Sequence, residues 1–313
     1  MAVAMCTGQL GPLGTIRGLM QPVRSALVSS DGRVVVQAAN SLWSAVLHEL
    51  FIRECAEVYG AEAKVGPPQP VPINGWCKEK TRGKIDQVLD PQIPLDPRGA
   101  VLVNAIYFKG AWKVRFDERA TVGGTFHSGG GPQPCKMMTA QGSSGKFSYH
   151  ETDSLQAAML PYGDKGEFSA VVILPRQGVL PSSVMGGLAH DWADITSSLA
   201  MRKGTVKLPR FKLECSIDLV PILQQRGMAV AFTPAADFSG MSGEPLYITQ
   251  VVHKTFVEVT EEGTEAAAVT AVVMSRCLSV EPSFVMECDR PFIFCIRHDP
   301  SNAMLFCGII ESV

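Results

Sequence analysis

The residue types that could do covalent chemistry are all present in this chain, but not in working arrangements. Six histidines stand at positions 48, 127, 150, 190, 253 and 298, and none takes the HExxH spacing that sets two imidazoles around a metal. No GxSxG turn raises a serine nucleophile, and no GxxxxGKS/T loop offers its backbone N–H groups to a phosphate. The glycines at 129–131 are followed by Pro132 and Pro134, the composition of a surface turn rather than a nucleotide cradle. Nine cysteines fall at 6, 55, 77, 135, 215, 277, 288, 295 and 307. An odd number leaves at least one thiol unpaired, and no CxxC pair opens a zinc or redox site. A cysteine hydrolase needs a thiolate oriented by a nearby His, and no local signature marks one. The expectation is a protein that is not an enzyme, with no catalytic residue, no metal site and no cofactor. Its cysteines are expected to be reduced, mostly buried small hydrophobes of a cytosolic protein.

One segment departs from ordinary fold chemistry. Residues 259–273 read VTEEGTEAAAVTAVV, with a strong strand signal before them and an apolar strand pattern well after. From Gly263 to Pro291 is 291 − 263 = 28 positions, a long connection for a compact domain and one that usually carries function or disorder. A short Ala-rich helix is one reading, with Thr264 as its cap and Glu265 in its first turn. It leaves unexplained why a strand runs straight into it, and why Val269, Thr270, Val272 and Val273 are β-branched. The other reading is a strand waiting for a sheet. Ala266, Ala267 and Ala268 are small enough to slide between two existing strands, and Gly263 supplies a hinge of low steric cost.

The elements that would position this segment follow from hydrophobic periodicity. Residues 41–59 show apolar positions at helical spacing and stop at Gly60, and a Pro-rich bridge at 66–72 leads to a second helix over 73–81. Residues 34–43 and 100–108 read as strands, the second a continuous apolar run. Strands are expected at 147–149, 157–161, 168–175 and 205–214, with helices over 182–199 and 216–227. The last third is strand-rich at 251–259, 284–287, 292–298 and 303–310. Strands and helices fall into runs without βα alternation, which predicts an α+β fold on large mixed or antiparallel sheets. The chain is 46% hydrophobic and 19% charged, which excludes a disordered or disulfide-stapled class. Its net charge of −2 gives no electrostatic case for nucleic acid or a membrane surface. The first 22 residues lack a basic region ahead of an apolar run, and nothing reaches bilayer-spanning length, so a soluble protein is expected.

These motifs, taken in order, resemble the serpin (serine protease inhibitor) family, from about residue 30 to the C-terminus and most closely its intracellular branch. EEGTEAAA at 261–268 resembles the hinge of the reactive-centre loop of inhibitory members. LVNAIYFKGAWKVRFD at 102–117 resembles the third strand of the main sheet and the gate beyond it. FSGM at 238–241 with VVHKTFVEV at 251–259 resembles the strand that enters the hinge. VKLPRFKL at 206–213 and DRPFIFCIRH with AMLFCG, within 289–308, complete the pattern. The resemblance implies the serpin fold, a single domain over 1–313, and an exposed reactive-centre loop at about 261–285. Residues 1–30 are unmatched, and the family's first helices are expected to be missing.

It also implies a suicide-substrate inhibitor. A serine endopeptidase attacks the loop and is acylated; the hinge then inserts as an extra strand and carries the tethered enzyme to the far pole. The hinge residues are Glu261, Glu262, Gly263, Thr264, Glu265, Ala266, Ala267 and Ala268. The family's usual register puts the cut between Cys277 and Leu278, and a shorter register puts it between Arg276 and Cys277. Arg276 is the only basic residue of the loop and suits an acidic specificity pocket, so the Arg276–Cys277 bond and a trypsin-like partner are favoured. Cysteine proteases are a second partner class, and the inhibitor is expected to be a monomer. Asn104 and His253 are expected to be structural members of the shutter beneath the main sheet. About fourteen residues past Gly263 in extended form span roughly 45 Å. About a dozen new backbone hydrogen bonds would supply a driving force on the order of 10 kcal/mol. The alternative is a non-inhibitory serpin, a binding, chaperone or storage protein, because the N-terminal helices are absent. The expected localisation is cytoplasmic, or extracellular if a signal peptide is lost from the start of this chain.

Overall fold

A computed structural model describes residues 30–140, 145–264 and 283–313. The hinge residues after Thr264, and with them Arg276, Cys277 and Leu278, lie outside the described residues. The described chain forms two compact units, one of 36–107 with 214–256 and one of 30–35, 108–140, 145–213, 257–264 and 283–313.

In the first unit, helix α1 (Glu49–Tyr59) ends on Gly60, whose φ of 60° places it in the left-handed region that suits glycine. Helix α2 (Pro70–Lys80) opens on Pro70, which has no N–H to leave unsatisfied and a φ already helical. Strand β1 (Val34–Ser44) runs parallel to β2 (Ala61–Val65). Strand β3 (Gly99–Ala111) and strand β11 (Tyr247–Val259) are parallel and directly paired from Tyr247–Gly99 to Phe256–Tyr107. Ile73, Trp76 and Cys77 of α2 pack on Val101, Val103 and Ala105 of β3 and on Val252 and Phe256 of β11, covering both paired strands from one side. Buried Asn74 fixes the helix to the chain that follows it. Its Nδ2 donates to the Leu89 carbonyl at 2.8 Å, and its Oδ1 accepts from the Val88 and Leu89 N–H groups, both at 2.9 Å.

The second unit is built on a nine-stranded sheet. It contains β4 (Val122–Ser128), β5 (Gly131–Ala140), β6 (Lys146–Glu151), β7 (Leu155–Tyr162), β8 (Phe168–Pro175), β9 (Ala200–Pro209), β14 (Phe292–His298) and β15 (Ala303–Ile310) in the order β15-β14-β8-β7-β6-β9-β5-β4. Strand β13 (Phe284–Glu287) runs parallel to β9, and the other neighbours are antiparallel. Every residue of β8 is buried, as expected of its unbroken FSAVVILP run. Helix α3 (Pro181–Ser197) buries Leu188, Trp192 and Ile195 on one face of β7, β8 and β14. A separate aromatic group joins Phe108, Trp112, Phe116, Tyr162, Phe168 and Phe306.

Three expected boundaries are corrected. Residues 41–44 belong to β1, and the helix starts only at Glu49, because Leu42 and Ser44 continue the inward positions of the strand. The single strand expected over 205–214 is two, β9 and β10 (Phe211–Asp218). Pro209 is the last residue of β9, and the Arg210 N–H makes one further bond to the Lys136 carbonyl of β5 at 2.8 Å before β10 begins. The helix expected over 216–227 shrinks to α4 (Val220–Leu223) followed by an irregular turn that breaks at Gly227, where φ is 92°.

Candidate functional site: the hinge anchor and the strand zip

The first residues of the hinge take extended form. Strand β12 (Gly263–Thr264) pairs antiparallel with Val259 at the end of β11, through Val259–Thr264. It also pairs antiparallel with the end of β3, through Gly263–Ala111 and Thr264–Gly110. The chain reverses between Thr260 and Gly263, whose backbone groups bond each other at 2.9 and 3.3 Å. Thr264 itself is extended, and the residues that would form a helix after it lie outside the described residues. Gly263 has a φ of 152°, and a Cβ there would stand 2.1 Å from the Gly110 carbonyl oxygen. Both the dihedral and the space admit only glycine.

Thr260, Glu261, Glu262 and Thr264 each have their own partner. The Thr260 carbonyl accepts from Trp112 Nε1 at 2.9 Å, the Glu262 carbonyl from the Trp112 N–H at 2.9 Å, and the Glu261 carbonyl from the Phe116 N–H at 3.0 Å. The Glu261 carboxylate is buried at 3% exposure, accepting from Arg210 Nε at 2.8 and 2.9 Å and from the Thr121 hydroxyl at 2.5 Å. Burial pushes this carboxyl up, but the Arg210 and Thr121 hydrogen bonds outweigh it and hold it below its ordinary 4.5. Glu262 lies 3.9 Å from Arg115. Thr264 is fully buried, its Oγ1 2.6 Å from the Tyr162 hydroxyl. Tyr162 stacks on Trp112 with centroids 4.4 Å apart, and complete burial pushes its phenol up.

The second feature lies where β11 meets β3. His253 and Asn104 are direct partners in the parallel pair, with His253 Nδ1 at 2.6 Å from Asn104 Oδ1. An amide oxygen can only accept, so Nδ1 carries the proton and donates. Asn104 Nδ2 in turn donates to Asn40 Oδ1 of β1 at 2.6 Å. The chain His253–Asn104–Asn40 thus joins three strands. Burial lowers the His253 pKa below its ordinary 6.5, so the imidazole is neutral at pH 7.

The hinge glutamates, Gly263, Thr264, Asn104 and His253 were singled out from the sequence; Trp112 and Arg210 stood inside serpin-like motifs without an assigned role, and Thr121, Tyr162 and Asn40 were not marked at all. Arg210 and Glu261 are 51 positions apart, and no local spacing links them. Their only signal was a pair of acidic residues entering an otherwise apolar stretch. Among the described residues no cluster of three His, Cys, Asp or Glu could hold a metal, and no helix is long and apolar enough to cross a membrane.

A parallel pair of long strands with a two-residue strand seated between their ends is the arrangement expected of a serpin. The family model "Serpin (serine protease inhibitor)" matches residues 12–313, and the chain belongs to that family. It is 45% identical to human Serpin B8 over 248 residues, which are 77% of this chain and 65% of that protein. Bovine Serpin B8 is 37% identical over 329 aligned positions, 100% of this chain and 86% of that protein. The pig protein named leukocyte elastase inhibitor is 33% identical over 95% of this chain and 82% of its own length. Among solved structures, the thermophilic serpin Tengpin in its native state matches with a TM-score of 0.86 at 27% identity, over 99% of this chain and 81% of that one. Human thyroxine-binding globulin complexed with its hormone matches at 0.83 and 23% identity, a likeness of fold alone.

Proposed function

We propose that the chain is an inhibitor of serine endopeptidases that works once, as a suicide substrate. One observation carries the reading: Gly263 and Thr264 are already paired with the ends of both β11 and β3, so the hinge starts where a further strand would enter. The protease serine would attack the Arg276 carbonyl, forming an ester and releasing the Cys277 amine; the alternative cut is Cys277–Leu278. The freed chain after Thr264 would extend β12 between β11 and β3. For this the direct β11–β3 pairing must open, including the His253–Asn104 bond, which acts as the shutter, and α2 must release the two strands it covers. The β11–β3 ladder bonds given up would be replaced by bonds to the new strand, and about a dozen strand hydrogen bonds beyond that replacement, at about 1 kcal/mol each, would exceed the loss of the His253–Asn104 contact.

Arg276 implies a trypsin-like partner, and inhibition of cysteine proteases would use the same loop. The two units would act as one serpin domain, as a monomer. The free cysteines fit a reducing, cytoplasmic setting. The test is a gel. Mixed with trypsin, the chain is expected to form a complex stable in SDS, with a released peptide starting at Cys277. Cleavage of the loop without a complex would instead support a non-inhibitory binding, chaperone or storage protein.

A further inference from the structure

Two cysteines face each other on a sheet surface that the loop mechanism does not use. Cys295 of β14 and Cys307 of β15 are direct partners in an antiparallel pair. Residues so placed have Cα atoms about 4.5 or 5.5 Å apart, and both spacings lie within the range a disulfide spans. Their Sγ atoms are 3.3 Å apart, the Cys295 thiol donating to Cys307. Closing that gap to a bond of about 2.05 Å needs a movement of roughly 1.2 Å, within reach of small side-chain rotations.

The two thiols differ in ways that set an order of reaction. Cys307 is exposed, while Cys295 is fully buried beside Leu188 and Trp192 of α3. The hydrogen bond from Cys295 holds the Cys307 thiol below its ordinary value although burial opposes it, and the same bond together with burial pushes Cys295 up. The thiolate that forms first is therefore also the one that solvent reaches. Met185 Sδ lies 3.5 Å from Cys307 Sγ, so a soft thioether borders the pair. Cys55 and Cys77 are buried and pushed up to about 11 and about 12, and Cys288 is pushed up further; none of the three has a cysteine partner in hydrogen-bond contact among the described residues.

We propose that Cys295 and Cys307 form a dithiol site for thiol–disulfide exchange with a low-molecular-weight disulfide of the oxidised-glutathione type. The Cys307 thiolate attacks one sulfur of that disulfide, forming a mixed disulfide and expelling one glutathione thiolate, which takes up a proton. The Cys295 thiol then attacks the Cys307 sulfur, its proton passing to the departing glutathione sulfur, so that the second glutathione leaves as a thiol. The protein gives up two electrons and two protons, and the oxidised glutathione becomes two reduced molecules. Exposure makes Cys307 the entry point, and position makes Cys295 the resolving thiol.

The experiment incubates the full folded chain with oxidised glutathione and maps its cysteines by fragmentation mass spectrometry. The expected main product is a Cys295–Cys307 link, with the chain about 2 Da lighter. Cys307 should be modified at least about tenfold faster than Cys55, Cys77 or Cys288. Cys295→Ser is expected to stop with glutathione retained on Cys307, and Cys307→Ser to give neither link nor adduct at Cys295. The wild-type map decides alone if a variant fails to fold. Glutathione persisting on Cys307 with no link would overturn the proposal. So would Cys295 and Cys307 remaining reduced while Cys135 or Cys215 is modified, or a link appearing only in denaturant.

Discussion

The hinge anchor and the β11–β3 zip hold the same strands by opposite means. The anchor is short, polar and enclosed: a buried carboxylate with a guanidinium and a hydroxyl, two tryptophan donors, and a threonine against a buried tyrosine. The zip is long and mostly apolar, with α2 lying across it and one neutral histidine–amide contact within it. Strand contacts can be exchanged for equivalent ones when a new strand enters, because each lost ladder bond is replaced by another. The anchor contacts have no such replacement. Under the proposed mechanism the anchor would fix where insertion begins, and the zip would be the part that opens.

The largest expected effect comes from breaking the anchor at its tightest point. Gly263→Val places a side chain on the Gly110 carbonyl and forces a dihedral that L residues avoid, so the hinge should be expelled from between the strand ends. A loss of about 3 kcal/mol is expected from urea unfolding, with raised hydrogen exchange at Gly110–Trp112, and complex formation with trypsin should fall while loop cleavage persists. The zip is tested next by Asn104→Ala. This leaves the His253 Nδ1–H and the Asn40 carbonyl oxygen without their partner, at a cost of about 2 kcal/mol in the same unfolding measurement.

The smallest effect separates the two regions by pH. Arg210→Ala strands the buried Glu261, but the arginine side chain is 46% exposed and partly screened, so about 1 kcal/mol is expected. Glu261 has a lowered pKa, so its contribution is present above its unfolded value of 4.5 and is lost as pH falls through the folded value. His253 is also lowered, by burial, so its contribution is present above 6.5 and declines as pH falls below that toward its folded value. Urea midpoints measured against pH should therefore lose their lower step in Glu261→Gln and their upper step in His253→Gln. Identical profiles for the two variants would erase the distinction between the regions.

What could be read in advance follows the range of the interactions. Strand β8 was legible because all its side chains are buried and its apolar run is unbroken. The EEGT turn was legible because the charges, the glycine and the small residues that follow are consecutive. The start of α1 was not, since Leu42 and Val46 fit a helical period as well as the end of a strand, and only the pairing of β1 with β2 decides it. The break between β9 and β10 hid inside one alternating pattern, with only Arg210 between the two strands. Trp112 and Arg210 stand inside serpin-like motifs, but their contacts with the hinge, and Tyr162 altogether, could not be found. Their contacts with the hinge are 51 to 148 positions distant, and an arginine or a tyrosine in a strand has many uses.

Insertion of the cleaved loop between β11 and β3 is the central claim, and the thermal midpoint before and after limited tryptic cleavage tests it most directly. A new strand worth on the order of 10 kcal/mol should raise the midpoint by roughly 20 °C or more. An unchanged or lowered midpoint, with the loop shown to be cut, would contradict the account.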